Sequence, residues 1–173
     1  MNRVLKFILT IAAFIILQSC IDLGIYIADF PLNSSDTEPA DIRLIGKWEK
    51  IVEKNKGTGM ETIEFILFNE SEYVVRSGER VDNNLVRTFI TKISGISFLN
   101  FQDLSETERQ YVFCKYRISD KNELILNFIG DKLFDSDKPE TSKKLRKFIK
   151  KNLANPALFN KEMNISLKKV KIL

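Results

Sequence analysis

The sequence contains no histidine and only two cysteines among its 173 residues. Without histidine the chain cannot form a Ser-His-Asp or Cys-His catalytic group, or a metal site with histidine ligands. It also lacks the side chain best suited to proton transfer near neutral pH. These absences favour a protein that is not an enzyme, and nothing in the sequence implies a cofactor or a metal.

The cysteines exclude a disulfide framework. Cys20 lies in the N-terminal segment, whereas Cys114 ends the apolar run at residues 111–114. If Cys20 is modified, Cys114 has no partner within the chain. The run predicts a buried and unreactive Cys114, because a reactive thiol needs polar, electropositive surroundings.

Neither sign of charge is in large excess. The formal net charge is +4. Two positive residues, Arg3 and Lys6, lie in a segment predicted to be removed, which leaves about +2. So small a charge does not imply a polyanionic partner such as nucleic acid. Thirteen Phe against seven Gly and four Pro favour one folded domain over a disordered chain.

Residues 1–19 have the layout of a secretory signal peptide. Arg3 and Lys6 give a positive start, and an uncharged apolar run follows. A membrane-spanning helix is the alternative interpretation. It requires about 20 predominantly apolar residues, whereas the uncharged stretch at residues 7–21 ends at Asp22.

The run Leu17-Gln18-Ser19-Cys20 resembles the lipobox of bacterial lipoproteins. The resemblance implies cleavage before Cys20 and attachment of lipid to its sulfur, with acyl chains such as palmitate holding the protein to a membrane. Ile21 is not the aspartate that commonly retains such lipoproteins in the inner membrane. We therefore expect a cell-envelope protein on the periplasmic face of the outer membrane.

Residues 20–41 are predicted to contain the lipidated cysteine and a tether. The stretch at 31–39 is polar and turn-forming, with a proline at each end. Residues 25–30 are too apolar for a free linker. They either lie on the bilayer or pack on the domain.

Residues 42–173 are predicted to form a single β-rich domain. From Leu44 the hydrophobic pattern has the strand period of two, and seven runs with short turns follow up to residue 129. Ser142 or Thr141 then caps an amphipathic helix, and a final strand with a bulge lies at 165–172. The prediction is a mainly β fold (α+β by content): an antiparallel meander barrel or sandwich of about eight strands, with one C-terminal helix before the last strand.

Gly46 and Trp48 resemble the Gly-x-Trp motif on the opening strand of lipocalin-like barrels. The resemblance implies a glycine that bends the strand, a tryptophan that closes the barrel floor, and an arginine packed on that tryptophan, to which no position is assigned. A barrel of this size either holds one small ligand or is filled by side chains. If it is open, a small apolar ligand is expected, and the candidates to line its site are Trp48, Phe65, Phe89 and Phe113. If it is closed, we expect a structural or protein-interaction lipoprotein.

A basic cluster lies on the predicted helix: Lys143, Lys144, Arg146, Lys147, Lys150 and Lys151. It falls mainly opposite the apolar stripe of that helix, as a solvated outer face does. The alternative is docking to anionic lipid head groups, which attract basic residues near a membrane. The carboxylates show no spacing that selects a catalytic pair, and no catalytic residue is assigned.

Overall fold

Strand alternation and short turns close most of this chain into a barrel. The computed structural model describes residues 24–33, 38–51, 62–77, 85–104, 109–134 and 138–170. The strands are β1 (Ile27–Ala28), β2 (Gly46–Lys50), β3 (Thr62–Leu67), β4 (Glu72–Ser77), β5 (Val86–Ile93), β6 (Ile96–Asp103), β7 (Tyr111–Ile118), β8 (Glu123–Ile129) and β9 (Phe159–Lys169). Helix α1 (Ser142–Asn152) and a 3-10 turn (Pro156–Leu158) lie between β8 and β9.

Strands β2 to β9 form an antiparallel meander in which each strand pairs with the next. The last strand, β9, also pairs with β2, and Lys169 lies opposite Trp48 in that register. This pairing closes the sheet and leaves no free edge. The predicted mainly β meander, with a helix before its last strand, is confirmed, and it is a barrel rather than a sandwich.

The two ends of the barrel differ in the length of their connections. At one end, which we call the base, the connections are residues 68–71, 94–95 and 119–122. At the other end, which we call the mouth, they are residues 51–61, 78–85, 104–110 and 130–158. The base hairpin at Ser94-Gly95 has φ of 52° and 81°. Positive φ at both turn residues matches the right-handed twist of the strands, which explains so tight a turn.

The chain enters the barrel as a strap, our name for residues 24–33, which joins the sheet through β1 and continues over the outer wall. β1 pairs with the mouth end of β7, Ile27 lying opposite Val112. The strap side chain of Leu32 is fully buried, and its N–H donates to Asn100 Oδ1 at 2.9 Å. The tether predicted for residues 20–41 is therefore too long, and the folded body begins before residue 42. Of the two interpretations for residues 25–30, packing on the domain is the one observed.

Helix α1 has the predicted cap and apolar stripe. Thr141 Oγ1 accepts the N–H of Lys144 at 3.3 Å, and Leu145 and Ile149 are buried against the barrel wall. Two lysines lie in the last turn, where cations suit the helix macrodipole.

The last strand begins earlier than predicted, at Phe159, and ends at Lys169. The register shift between β8 and β9 lies near Asn127 and Ile129 rather than at residues 165–172. Asn160 explains this position, because its Oδ1 accepts the N–H groups of Glu162 and Met163 and holds the extra residues in a local turn.

Candidate functional site: the barrel interior and its mouth

The barrel interior is defined by a buried cluster that draws on every strand of the meander. Taken in strand order, it includes Trp48, Phe65, Tyr73, Ile90, Leu99, Val112, Leu124 and Leu167. Of the four residues predicted to line the interior, Trp48 and Phe65 belong to this cluster. The structure therefore brings these two predicted residues together.

Phe89 and Phe113 lie on the outer wall instead. Their chain neighbours Ile90 and Cys114 face the interior, and successive side chains on a strand point to opposite faces. Phe89 and Phe113 therefore belong to a second buried cluster, which the strap and helix α1 cover. The prediction that these two residues face the interior is therefore wrong. Both faces of β5, β6 and β7 are apolar, and the sequence pattern does not show which face points into the barrel.

Trp48 seals the base. Its Nε1 donates to the carbonyl of Leu44 at 2.7 Å, and its side chain is fully buried. Lys169 Nζ lies 5.2 Å from the centre of the indole ring and donates to the carbonyl of Arg43 at 2.8 Å. Lys169 thus places a cation on the indole ring, at a position to which the sequence analysis assigned no residue. Sequence reasoning missed it because only barrel closure brings β9 beside β2.

Gly46 matches the bend that the resemblance implies. Its φ is 114°, a conformation that residues with a side chain rarely adopt. An added Cβ would meet Lys169 Cε at an ordinary 3.5 Å. The backbone conformation, and not crowding, is therefore what favours glycine at this position.

A polar group beside Trp48 completes the base. Asp41 accepts from Arg43 NH2 at 2.7 Å and from Tyr116 OH at 3.3 Å, while its own carbonyl accepts from Tyr73 OH at 3.1 Å. The hydrogen bond from Arg43 holds the pKa of the Asp41 carboxyl below its usual range. Burial raises the pKa of Tyr73 to about 12. The arrangement fits a closed floor, since these groups satisfy one another.

The middle of the barrel is filled by side chains. Phe65 and Tyr73 pack edge to face, with ring centres 5.8 Å apart. Leu99 and Cys114 lie opposite each other on β6 and β7 and are fully buried. Burial raises the pKa of the Cys114 thiol, so the thiol is inert, as a structural cysteine is expected to be.

Apolar side chains also line the mouth. Several inward ones there are only partly buried: Ile27, Ile63, Val86, Phe101 and Met163. The rings of Phe101 and Phe128 stack with centres 6.2 Å apart and form one wall of this region. The described residues at the mouth therefore present a partly exposed apolar lining.

Thr88 adds one polar atom to the inward row of β5. It lies between Tyr73 and Phe101 in the strand registers and is 0% exposed. Among the described residues, its hydroxyl oxygen has no hydrogen-bond partner. A buried hydroxyl without a partner is costly and uncommon in a native protein, so Thr88 has the capacity for a further hydrogen bond.

The basic cluster on α1 divides into two kinds of residue. Arg146 NH2 donates to the carbonyl of Lys92 at 2.6 Å and so joins the helix to β5. Lys144 pairs with Glu140 at 2.6 Å on the surface. The other members, Lys143, Lys147, Lys150 and Lys151, are exposed. Part of the cluster therefore fixes the helix, and the rest is a solvent-facing basic surface.

The predicted signal peptide and Cys20 lie outside the described residues. Within the described residues, no helix has the length and apolar character needed to cross a bilayer. The described part of the chain also contains no group of three metal-ligating side chains. Comparison with protein-family models, curated proteins and solved structures finds no match to this chain.

Proposed function

We propose that this chain is a bacterial lipoprotein whose barrel is a non-enzymatic binding module for a small apolar ligand. Export, cleavage before Cys20 and lipid attachment to its sulfur follow from the lipobox-like residues 17–20. Two or three acyl chains hold such a protein stably to a membrane, whereas one alone does so only marginally. The periplasmic face of the outer membrane is the proposed location.

The observation that carries the ligand proposal is the apolar lining of the mouth above a sealed floor. At the base, Leu44, Trp48 and Leu124 are fully buried. Ile45 and Ile118 at the base are only partly buried, as Ile63 and Phe101 are at the mouth. A ligand therefore enters at the mouth, rests on apolar walls and stops above the filled middle of the barrel.

Thr88 supports a ligand with one polar end. Its buried hydroxyl can both donate and accept a hydrogen bond. A hydroxyl, carbonyl or carboxyl group on an otherwise apolar molecule would satisfy it. The favoured ligand class is thus a short amphiphile, such as a fatty acid or a similar lipid fragment.

A second candidate function is protein interaction through the outer surface of a closed barrel. It is favoured by two large apolar side chains at the base, Ile42 and Phe68, which are 74% and 69% exposed. Monomeric proteins expose such groups singly without function, but neighbouring ones mark contact sites. In this alternative the mouth is also filled, and no small ligand binds.

A fluorescent fatty-acid probe, dansyl-undecanoic acid, distinguishes the two functions. Val86→Trp would fill the mouth, because Val86 lies on the inward row of β5. Val74→Trp is the matched control, since Val74 lies on the adjacent strand but between the inward residues Tyr73 and Val75. We expect the unchanged chain and Val74→Trp to bind the probe with similar affinity, and Val86→Trp to bind at least tenfold more weakly.

Folding is checked for both variants by circular dichroism before the titration. Saturable binding that Val86→Trp leaves unchanged would place the probe elsewhere and overturn the ligand site. Absence of saturable binding by the unchanged chain would favour the interaction function instead.

A further inference from the structure

The strap fixes the place on the barrel from which the lipid anchor departs. Gly24 lies at the mouth, where β8 ends and β9 begins. Its carbonyl accepts from Asp131 N at 3.1 Å and from Asn160 Nδ2 at 3.0 Å, and Ile25 bridges to Gly130. The chain toward Cys20 therefore leaves from the rim of the mouth and not from the base.

Contacts with the barrel hold the strap in place, so its residues do not add to the length of chain between the barrel and Cys20. Ile25 and Tyr26 are almost fully buried, and the N–H of Tyr26 donates to the carbonyl of Ile129 at 3.0 Å. The Tyr26 ring also stacks on Phe134, with centres 3.7 Å apart. Releasing the strap from the barrel would break these contacts and expose apolar surface to water.

The chain between Cys20 and Gly24, which we call the leash, is consequently short. Four residues beyond Cys20 reach Gly24, and an extended chain of that length spans at most about 14 Å. An eight-residue strand such as β7, tilted by about 40°, gives a barrel height of roughly 20 Å. With Cys20 in the membrane interface, Gly24 lies within about 14 Å of the bilayer, so the barrel cannot stand on its base.

The rim of the mouth carries exposed apolar side chains on opposite sides. Leu85 and Leu104 are 45% and 50% exposed and lie side by side, with the N–H of Leu104 donating to the carbonyl of Leu85 at 3.2 Å. Ile51 is 44% exposed and is held to β9 through the carbonyl of Ser166 at 2.8 Å. In the closed order of strands, the β5–β6 side lies opposite the β2–β9 side. A flat apolar surface touches both sides at once only when the barrel stands on its mouth.

We propose that the barrel docks mouth-first on the lipid bilayer that holds Cys20, with Ile51, Leu85 and Leu104 in contact with the lipid. This orientation rests on the proposed lipid anchor and is independent of the proposed ligand. The short leash identifies the bilayer as the occupant of the rim, because it keeps the mouth within about 14 Å of the membrane. It also means that a ligand entering the mouth comes from the membrane.

In this orientation, the basic residues of α1 lie at different distances from the bilayer. The C-terminal end of the helix returns to the mouth through the 3-10 turn at Pro156–Leu158, because β9 begins there. Lys150 and Lys151 in the last turn are therefore the nearer members of the basic cluster. The N-terminal end of the helix, with Lys143, lies farther from the membrane.

Spin labels on the acylated full-length chain test the orientation in vesicles of phosphatidylethanolamine and phosphatidylglycerol. The label is placed through Leu104→Cys or, independently, Leu85→Cys, and the matched control is Ile42→Cys at the exposed base. Acylated Cys20 does not react, and Cys114 is buried, so the introduced thiol is the one labelled. Accessibility to oxygen, which partitions into lipid, is compared with accessibility to a water-soluble nickel chelate.

We expect the oxygen-to-nickel accessibility ratio at positions 104 and 85 to exceed that at position 42 at least threefold. Equal aqueous accessibility at all three positions in an acylated, membrane-bound chain would overturn the orientation and leave the anchor standing. Shielding of positions 104 and 85 from both reagents would mean protein contact and would overturn it as well. A full-length chain that retains Cys20 but carries no acyl group and does not bind the vesicles would refute the anchor and the orientation together.

Discussion

At the scale of single residues, the base of the barrel is closed by groups that satisfy one another. Trp48 donates to the carbonyl of Leu44 and packs beneath Lys169, while the carboxylate of Asp41 is held by Arg43. Buried polar groups stabilise a fold only when each has its partner. The floor is therefore closed, and the candidate site lies at the opposite end.

The tyrosines around this floor predict a loss of stability at high pH. Tyr73 ionises near 10.0 when exposed, but burial raises its pKa to about 12 in the folded protein. The unfolded chain therefore loses this proton first as the pH rises, and deprotonation favours unfolding. We expect the free energy of unfolding to be steady from about pH 7 to pH 10 and to fall between pH 10 and 12.

Urea denaturation followed by circular dichroism at a series of pH values measures this dependence. In Tyr73→Phe the fall should be smaller, because one of the titrating groups is gone. An unfolding midpoint that does not change from pH 9 to 11.5 would show that the tyrosines are not buried as described.

At the scale of elements, strand periodicity and turn residues were sufficient to predict most of the fold. The meander, the break at Ser94-Gly95 and the cap at Thr141 all depend on local patterns, and the structure confirms each one. The short β1 was not predicted, since a pair of residues carries no period and its partner in β7 is remote in the chain. Strand partners of this kind depend on tertiary contacts that local patterns do not contain.

The same dependence on tertiary contacts explains why only part of the candidate site could be predicted. The inward positions of Trp48 and Phe65 were predicted, whereas Phe89 and Phe113 proved to lie under the strap and α1. A strand covered on both faces loses the alternation that would show its orientation. Recognising that residues 24–33 cover the outer wall would have been needed to place these two phenylalanines.

The strap itself is open to a direct test through Leu32. Its fully buried side chain packs in the outer cluster, so we expect Leu32→Ala to lower the free energy of unfolding by about 2–5 kcal/mol. Ile42→Ala is the control, because Ile42 is largely exposed and its loss should change stability by less than about 0.5 kcal/mol. Equal effects of the two substitutions in urea denaturation would contradict the packing of the strap.

At the scale of the whole molecule, the two ends of the barrel differ. The base is closed, whereas the mouth is partly apolar and lies next to the short leash. Three features lie at the mouth: the proposed ligand site, the exposed rim residues Leu85 and Leu104, and Gly24, where the strap begins. The base carries the exposed Ile42 and Phe68. If the anchor is at Cys20, the mouth faces lipid and the base faces the surrounding aqueous space.

The proposed location and the proposed orientation both depend on lipid at Cys20, and one measurement tests that lipid attachment most directly. The full-length chain and Cys20→Ala are expressed in a bacterium fed with alkyne-palmitate, and each is examined for label and for membrane association. We expect label and membrane association in the unchanged chain, and no label in Cys20→Ala, which remains uncleaved or is released. Palmitate label that persists in Cys20→Ala, or an unchanged chain that carries none, would contradict the account.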